Sequence, residues 1–136
     1  MKVSDRMTRD VVTLDEEQSL REALTLQRRH KIRHIPVVTD GHVIGILTDR
    51  DLKRASPSLL SGISQEKYDE LLDTTLVGQV MTRTPQTVTP ETSIKEVAKI
   101  LVEQKFGSLP VTEADQLVGI ITDIDLLGAL YELLDD

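Results

Sequence analysis

The chain has 136 residues, 39% of them hydrophobic, with two Tyr, one Phe and no Trp, so aliphatic side chains must build the core and an aromatic nucleic-acid platform is excluded. With 16 basic against 23 acidic residues, the net charge of −7 repels phosphate backbones and anionic membranes. The absence of cysteine excludes disulfides and thiolate catalysis, and no apolar run approaches the ~20 residues of a membrane span. Because the charged N-terminus is unlike a signal peptide, we expect a soluble cytoplasmic protein that binds neither nucleic acid nor membrane.

The most prominent feature of the sequence is an internal repeat. A shift of 74 positions superimposes residues 3–56 on residues 77–130 without a gap, and 18 of these 54 positions are identical. One register held over this length predicts two copies of a single supersecondary unit. The predicted organisation is a first copy at residues 1–56, a helical insert at 57–76 and a second copy at 77–136.

The first copy is predicted to fold as β-α-β-β-α. A short strand is predicted over Val11–Leu14, and a helix begins at Ser19. A two-stranded hairpin, Ile35–Thr39 with Val43–Thr48, and a second helix over Asp49–Ala55 follow. Ser19 and Glu22 have the spacing of a reciprocal capping box. Asp40 and Gly41 favour a type I′ hairpin turn.

The second copy repeats this pattern after the insert, in which Ser64–Asp73 is predicted to form a capped connecting helix. Its short strand is predicted at Gln86–Thr89, its first helix begins at Ser93, and its last helix runs over Asp123–Leu134. The hairpin turn at Ala114-Asp115 is less well specified. One unit of ~55 residues buries little apolar surface alone. The sequence therefore predicts an α/β (α+β) module in which both copies are needed for stability.

A seven-residue motif at the end of each hairpin is the main candidate for binding chemistry. It reads Gly-Ile-Leu-Thr-Asp-Arg-Asp from Gly45 and Gly-Ile-Ile-Thr-Asp-Ile-Asp from Gly119. A strand glycine often marks the close approach of another group, a helix start suits a phosphate, and a carboxylate can accept hydrogen bonds from a ribose diol. A Thr and an Asp in a first helical turn also cap the helix, so both roles stay open for these residues.

The duplicated unit, the Ile/Leu-Pro-Val segments and the repeated Gly-x-x-Thr-x-x-Asp motif resemble a pair of CBS motifs, or Bateman module, and the layout is similar to stand-alone bacterial CBS proteins of the acetoin-utilisation type. The resemblance implies a regulatory, non-catalytic protein that binds AMP, ADP, ATP or S-adenosylmethionine in clefts between the motifs and requires no cofactor. It also implies a homodimer, and Leu126–Tyr131 is a candidate for its contact surface or, equally, for a core element. A further implied partner is an unidentified protein that responds to the conformational change caused by the ligand.

In such modules the Thr and Asp of one copy face the first strand and the residues before the proline of the other. One implied site comprises Thr48, Asp51, Thr87, Val88, Ser108 and Leu109. The other comprises Thr122, Asp125, Thr13, Leu14, His34 and Ile35. Because Arg33 and His34 would join the Thr122/Asp125 site, we expect it to be the better polyphosphate site, while Arg50 would add a charge to the other.

Other function classes have weaker support. A ligand-free dimerisation scaffold fits the same fold. A nucleotide hydrolase has less support, because the sequence contains no Walker loop, nucleophile elbow or catalytic triad. His30 and His34 have helical metal-ligand spacing, but the proline that follows Ile35 indicates that the helix ends before His34. The Asp-x-Asp sequences resemble magnesium sites of much larger transferases. We therefore expect no metal site, and we interpret the Lys53-Arg54 pair as part of a solvated helix face.

Overall fold

The computed structural model describes residues 1–56, 62–83 and 85–135. These residues fall into two compact units, Val12–Thr84 and Met1–Val11 with Pro85–Asp136. We call them the first-copy unit and the second-copy unit, after the copy whose hairpin each contains. The starting segment of each copy thus belongs to the unit of the other copy, so the units do not follow the boundaries of the repeat.

The first-copy unit is built on a three-stranded antiparallel sheet in the order β1-β2-β3. Its elements are α1 Leu20–His30, β1 His34–Thr39, β2 His42–Thr48, α2 Asp49–Ala55, α3 Gln65–Thr74, α4 Val77–Val80 and β3 Thr82–Arg83. The predicted strand over Val11–Leu14 is reduced to one parallel bridge between Leu14 and Val37. Leu14 N–H donates to the Pro36 carbonyl at 3.0 Å, and a turn then leads the chain away from the sheet.

Helix α1 begins at the predicted Ser19, but the predicted reciprocal capping box is only half formed. Ser19 Oγ accepts a hydrogen bond from the Glu22 N–H at 3.1 Å. The Glu22 carboxylate instead accepts from Gln18 Nε2 at 2.9 Å. The helix buries Leu20 and Ala23. They join the core of the first-copy unit, which also contains Leu14, Ile35, Val37, Leu47, Leu52, Leu72, Val77 and Met81.

The predicted insert helix is present as α3 and forms a wall of this core. Ser64 Oγ accepts from the Lys67 N–H at 3.1 Å, as a helix cap does. Leu72 is buried in the core, and Arg21 on α1 donates to Asp73 on α3 with 2.5 Å between Nε and Oδ1. The start of the predicted insert, residues 57–61, lies outside the described residues.

The second-copy unit contains a two-stranded antiparallel sheet, β4-β5. Its elements are a 3₁₀ turn at Val3–Asp5, α5 Ile94–Gln104, β4 Ser108–Glu113, β5 Gln116–Thr122 and α6 Asp123–Leu133. The predicted strand over Gln86–Thr89 is reduced to a bridge between Val88 and Val111. Its buried core comprises Val3, Val88, Val97, Ile100, Leu101, Leu109, Val111 and Ile121. The aliphatic composition therefore supplies one small core in each unit.

Both hairpins use the same tight turn and the same irregularity. Asp40 and Gly41 have φ of 52° and 83°, which confirms the type I′ prediction, and Ala114 and Asp115 adopt φ of 50° and 64° without a glycine. The strand register shifts at Val37/Val38 in one hairpin and at the equivalent pair in the other. The second turn therefore holds an alanine in a conformation that L side chains disfavour.

The start of the chain is attached to the second-copy unit by ion pairs. Arg6 donates to Glu132 near the end of α6, and Lys2 Nζ lies 2.5 Å from Glu91 Oε2. The hydrogen bond from the Arg6 guanidinium lowers the pKa of Glu132. Helix α6 also exposes apolar side chains, with Tyr131 83% and Ile124 60% accessible. Among the described residues, no helix combines the length and apolar character that a membrane crossing requires.

Candidate functional site

The Thr and Asp of each repeated motif meet where the hairpin runs into the following helix. Thr48 Oγ1 accepts from the Asp51 N–H at 3.1 Å, and Asp51 Oδ2 accepts from the Thr48 N–H at 3.0 Å. The equivalent distances for Thr122 and Asp125 are 3.2 and 2.8 Å. The structural interpretation of these residues as helix caps is therefore confirmed in both copies. We call Thr48–Asp51 the first corner and Thr122–Asp125 the second corner.

The backbone N–H groups of the first corner are already used within the protein. The Asp49 N–H donates to the Arg33 carbonyl at 2.8 Å, and the Arg50 N–H donates to Asp49 Oδ1 at 3.0 Å. With the Asp51 N–H bound to Thr48, the first turn of α2 has no donor left for a phosphate. The expectation that this helix start offers its N–H groups to a phosphate is therefore wrong, because the first turn satisfies them internally.

The first corner holds its carboxylate more tightly than the repeat predicts. Asp51 is only 6% exposed. Thr82 Oγ1 lies 3.3 Å from Asp51 Oδ1 and 3.4 Å from Oδ2, and Arg54 Nη2 lies 3.5 Å from Oδ1. Both Thr82 and Arg54 were missed as site residues. The sequence signal for Thr82 is its recurrence within the repeated Met-Thr-Arg, and the Lys53-Arg54 pair has the pattern of a solvated helix face.

The second corner has the same cap but a different surrounding. Asp125 is partly exposed, and its Oδ2 accepts from both the N–H and the Oγ1 of Thr122, at 2.8 and 3.1 Å. Within the described part of the chain, the hydrogen bonds to this carboxylate all reach Oδ2. The positions equivalent to Thr82 and Arg54 are Thr8 and Gly128. Asp125 Oδ1 is thus left to accept from another donor.

The glycine of each motif marks a close approach, as predicted, but the group that approaches is protein. A Cβ at Gly45 would lie 2.5 Å from Met81 Sδ and 2.9 Å from the Thr82 carbonyl. A Cβ at Gly119 would lie 2.8 Å from both Met7 Sδ and the Thr8 carbonyl. The repeated Met-Thr-Arg and the repeated glycine are therefore two sides of one contact, which occurs once in each unit.

The remaining predicted site residues lie in the unit of their own copy. In the first-copy unit, His34 is the strand partner of Thr48 and Ile35 that of Leu47. In the second-copy unit, Ser108 is the strand partner of Thr122. Thr13, Leu14, Arg33 and Arg50 also belong to the first-copy unit, and Thr87, Val88 and Leu109 to the second-copy unit. The assignment of each set to the corner of the other copy stays a prediction.

The apolar residues among these predicted site residues are buried, and most of the polar ones are at least partly exposed. Leu14, Ile35, Val88 and Leu109 are buried among core residues. Ser108 is buried, whereas Thr13 and His34 are partly buried. Thr87, Arg33 and Arg50 are exposed. Helix α1 ends at His30, so His30 and His34 do not share a helix face.

Comparisons with known proteins agree with this architecture. The chain matches the CBS domain family over residues 3–58 and 77–132. A crystal structure described as an acetoin utilization protein, AcuB from Vibrio cholerae, has a TM-score of 0.80 and 34% identity over 98% of this chain and 92% of that chain. The structure of CBSX2 in complex with AMP, a protein of Arabidopsis thaliana, has a TM-score of 0.80 and 29% identity over 97% of both chains.

An enzyme also matches, but only through a part of its length. The inosine-5'-monophosphate dehydrogenase of Korarchaeum cryptofilum is 35% identical over 87% of this chain, and the match spans 22% of that enzyme. The similarity therefore concerns a segment and does not bring the enzyme's activity with it. The tandem motifs, the matched residues and the whole-chain structural likeness together identify the chain as a member of the CBS domain family that carries two copies of the domain.

Proposed function

We propose that this CBS pair is a regulatory sensor that binds an adenosine-containing nucleotide at its two corners. The observation that carries the proposal is the geometry of each corner, where a capping box fixes an Asp carboxylate at a strand-to-helix junction. A carboxylate held in this way is preorganised to accept the two hydrogen bonds of a ribose diol. The complex of CBSX2 with AMP supports the same ligand class. Candidate ligands are AMP, ADP, ATP and S-adenosylmethionine.

At the first corner, the phosphate groups of a ligand require side-chain cations. Because the first turn of α2 uses its own N–H donors, a helix start does not supply the phosphate site at the first corner. Arg33, His34 and Arg50 are the cationic or titratable candidates from the sequence. Arg33 and Arg50 are exposed, as side chains that contact a charged tail must be before the ligand arrives. We expect ATP to depend on these residues more strongly than adenosine does.

The proposed output is a population shift, because a ligand favours whichever conformation gathers its binding groups. A second copy of the chain is one candidate partner that would respond to this conformational change. The apolar side of α6 exposes Ile124, Leu127 and Tyr131, and an exposed apolar patch of this kind is typical of an interaction surface. We propose a homodimer that uses this helix, acting on a protein partner, with no catalytic step and no required cofactor or metal.

Calorimetric titration of the full chain with each of the four adenosine compounds tests the proposal. Binding to the native state also raises the unfolding temperature, and a ligand at ten times its Kd adds about 1.4 kcal/mol of stability. Asp51→Asn and Asp125→Asn keep an oxygen for the helix cap but lose the charge. We expect each variant to lose more than tenfold in affinity at its own corner, while Thr48→Ser and Thr122→Ser, which keep the capping hydroxyl, serve as matched controls.

The alternatives give different results in the same samples. A scaffold that binds no ligand would show no heat and no rise in Tm with any of the compounds at millimolar concentration, and this would overturn the proposal. A nucleotide hydrolase would release product from ATP and magnesium, and we expect none. Native mass spectrometry reports the oligomeric state and any ligand that co-purifies.

A further inference from the structure

The two corners share their Thr, their Asp and their cap, yet their carboxylates have different partners. At the first corner, Asp51 accepts hydrogen bonds from the Thr48 N–H and the Thr82 hydroxyl, and it forms an ion pair with the Arg54 guanidinium at 3.5 Å. At the second corner, the donors to Asp125 both come from Thr122. The groups that distinguish the corners therefore lie outside the shared motif.

Backbone pairing places Thr82 beside the first corner. Thr82 and Arg83 form β3, in which Thr82 pairs with Ile46 and Arg83 with Gly45. Arg83 also donates to the Gly78 carbonyl at 3.1 Å. These bonds place Thr82 beside Asp51, and its hydroxyl donates to the oxygens that a ribose diol would need. The equivalent Thr8 pairs with Ile120 through two backbone bonds of 2.9 Å, but Asp125 receives its side-chain bond from Thr122.

The Arg54 contact adds a charge to the same carboxylate. Arg54 lies one turn after Asp51 on α2, with its side chain 71% exposed, while the Asp51 side chain is 6% exposed. Because the guanidinium is mostly in solvent, its attraction is weakened by screening. It still lies against Asp51 Oδ1, so a donor that approaches this oxygen competes with it. A Cβ at the equivalent Gly128 would meet nothing within 4 Å, so Gly128→Arg introduces no clash at its Cβ.

We infer that the two corners are unequal binding sites, because the first corner is closed by its own side chains. A ligand at the second corner meets Asp125 Oδ1, which accepts no hydrogen bond from the described residues. At the first corner, the ligand must displace the Thr82 hydroxyl and the Arg54 guanidinium from Asp51. The chain would then fill the second corner first and the first corner only at higher nucleotide concentration. This inference rests on the proposed function, and it makes Thr82 and Arg54 the residues that set the affinity of the first corner.

The test uses AMP as the probe and isolates one corner at a time by calorimetry. In the Asp125→Asn variant only the first corner keeps its carboxylate, and in the Asp51→Asn variant only the second corner does. We expect the Asp125→Asn variant to bind AMP about three- to tenfold more weakly than the Asp51→Asn variant, the range set by one competing hydrogen bond and one partly screened ion pair. Adding Thr82→Val and Arg54→Ala to Asp125→Asn should tighten binding by the same factor. Adding Gly128→Arg to Asp51→Asn should weaken it about two- to threefold.

The results separate this inference from the function on which it rests. If the wild-type chain gives no heat with AMP or the other adenosine compounds, the proposed function itself fails. If the two single-corner variants bind equally and neither Thr82→Val with Arg54→Ala nor Gly128→Arg changes the affinity, the function stands and the inequality is wrong. If Asp125→Asn abolishes binding, recovery on opening the first corner supports the inference, and no recovery overturns it. Urea unfolding of every variant confirms that each is folded.

Discussion

The first-copy unit keeps its corner carboxylate occupied, while the second-copy unit leaves one oxygen of the same carboxylate unused by the described groups. Thr48, Asp51 and the capping box have direct equivalents, so the motif does not produce the difference. It comes from Arg54, which is replaced by Gly128, and from Thr82, which reaches the carboxylate although the identical Thr8 does not. A duplicated binding motif can therefore keep its fold in both copies while residues outside it set how open each copy is.

The same contrast extends to the surfaces of the two units. The helix that follows the first corner carries Arg50, Lys53 and Arg54, whereas the equivalent positions of α6 are Ile124, Leu127 and Gly128. The first-copy unit also packs α3 against its core, and no helix of the second-copy unit is equivalent to it among the described residues. The first-copy unit has α3 packed on its core and charged side chains on α2, whereas the second-copy unit exposes an apolar face of α6. Substitutions at equivalent positions test these differences directly.

The largest expected effect concerns the insert helix that covers only the first-copy unit. Leu72 on α3 is buried in that core, so Leu72→Ala should reduce the free energy of unfolding by about 2–5 kcal/mol through lost burial and the cavity left behind. Leu127→Ala, at an apolar but 57% exposed position, is the control and should change stability by less than about 0.5 kcal/mol. Urea unfolding measures both. Equal losses in the two variants would contradict the assignment of α3 to the core.

A second comparison tests the contact between the motif glycine and the Met-Thr segment, which occurs once within each unit. Gly45→Ala and Gly119→Ala each place a Cβ below 3.0 Å from a backbone carbonyl oxygen, so each should destabilise the protein by about 1–3 kcal/mol. Gly128→Ala is the matched control, because its Cβ meets nothing within 4 Å and alanine favours the helix by about 1 kcal/mol. Chemical denaturation should therefore give opposite signs. Stability unchanged at Gly45 or Gly119 would mean that the Met-Thr segments do not lie against the strands.

Local signals in the sequence predicted much of this fold. Helix α2 has the predicted limits, Asp49–Ala55, and α3 follows its predicted serine cap. These predictions succeed because caps, turns and hydrophobic periodicity act over a few residues. The predicted strands before each first helix fail because only Leu14 and Val88 reach a neighbouring strand. In the first copy, the Gln18 N–H already closes a turn on the Asp15 carbonyl.

The corner partners could not be predicted in the same way. Thr82 lies 31 positions from Asp51, and its role depends on the pairing of β3 with β2, which no short-range pattern encodes. Arg54 has helical spacing from Asp51, but the same spacing is common on solvated helix faces. The repeat identified the conserved geometry of Thr and Asp within this chain. The repeat could not show which of the two carboxylates has additional side-chain partners, because those partners lie outside the repeated motif.

The smallest expected effect concerns the two hairpin turns. Ala114 adopts φ of 50°, where Asp40 has φ of 52° at the equivalent position. An alanine in the left-handed region is strained by about 1–2 kcal/mol, whereas glycine is not, although glycine also gives the unfolded chain more freedom. We expect Ala114→Gly to stabilise the protein by about 0.5–1 kcal/mol, measured as a higher urea midpoint with an unchanged m-value. Asp40→Ala gives the first turn the strain of the second and should shift the midpoint the opposite way. A lower midpoint for Ala114→Gly would show that this alanine is not strained, and the two turns would then differ in sequence but not in energy.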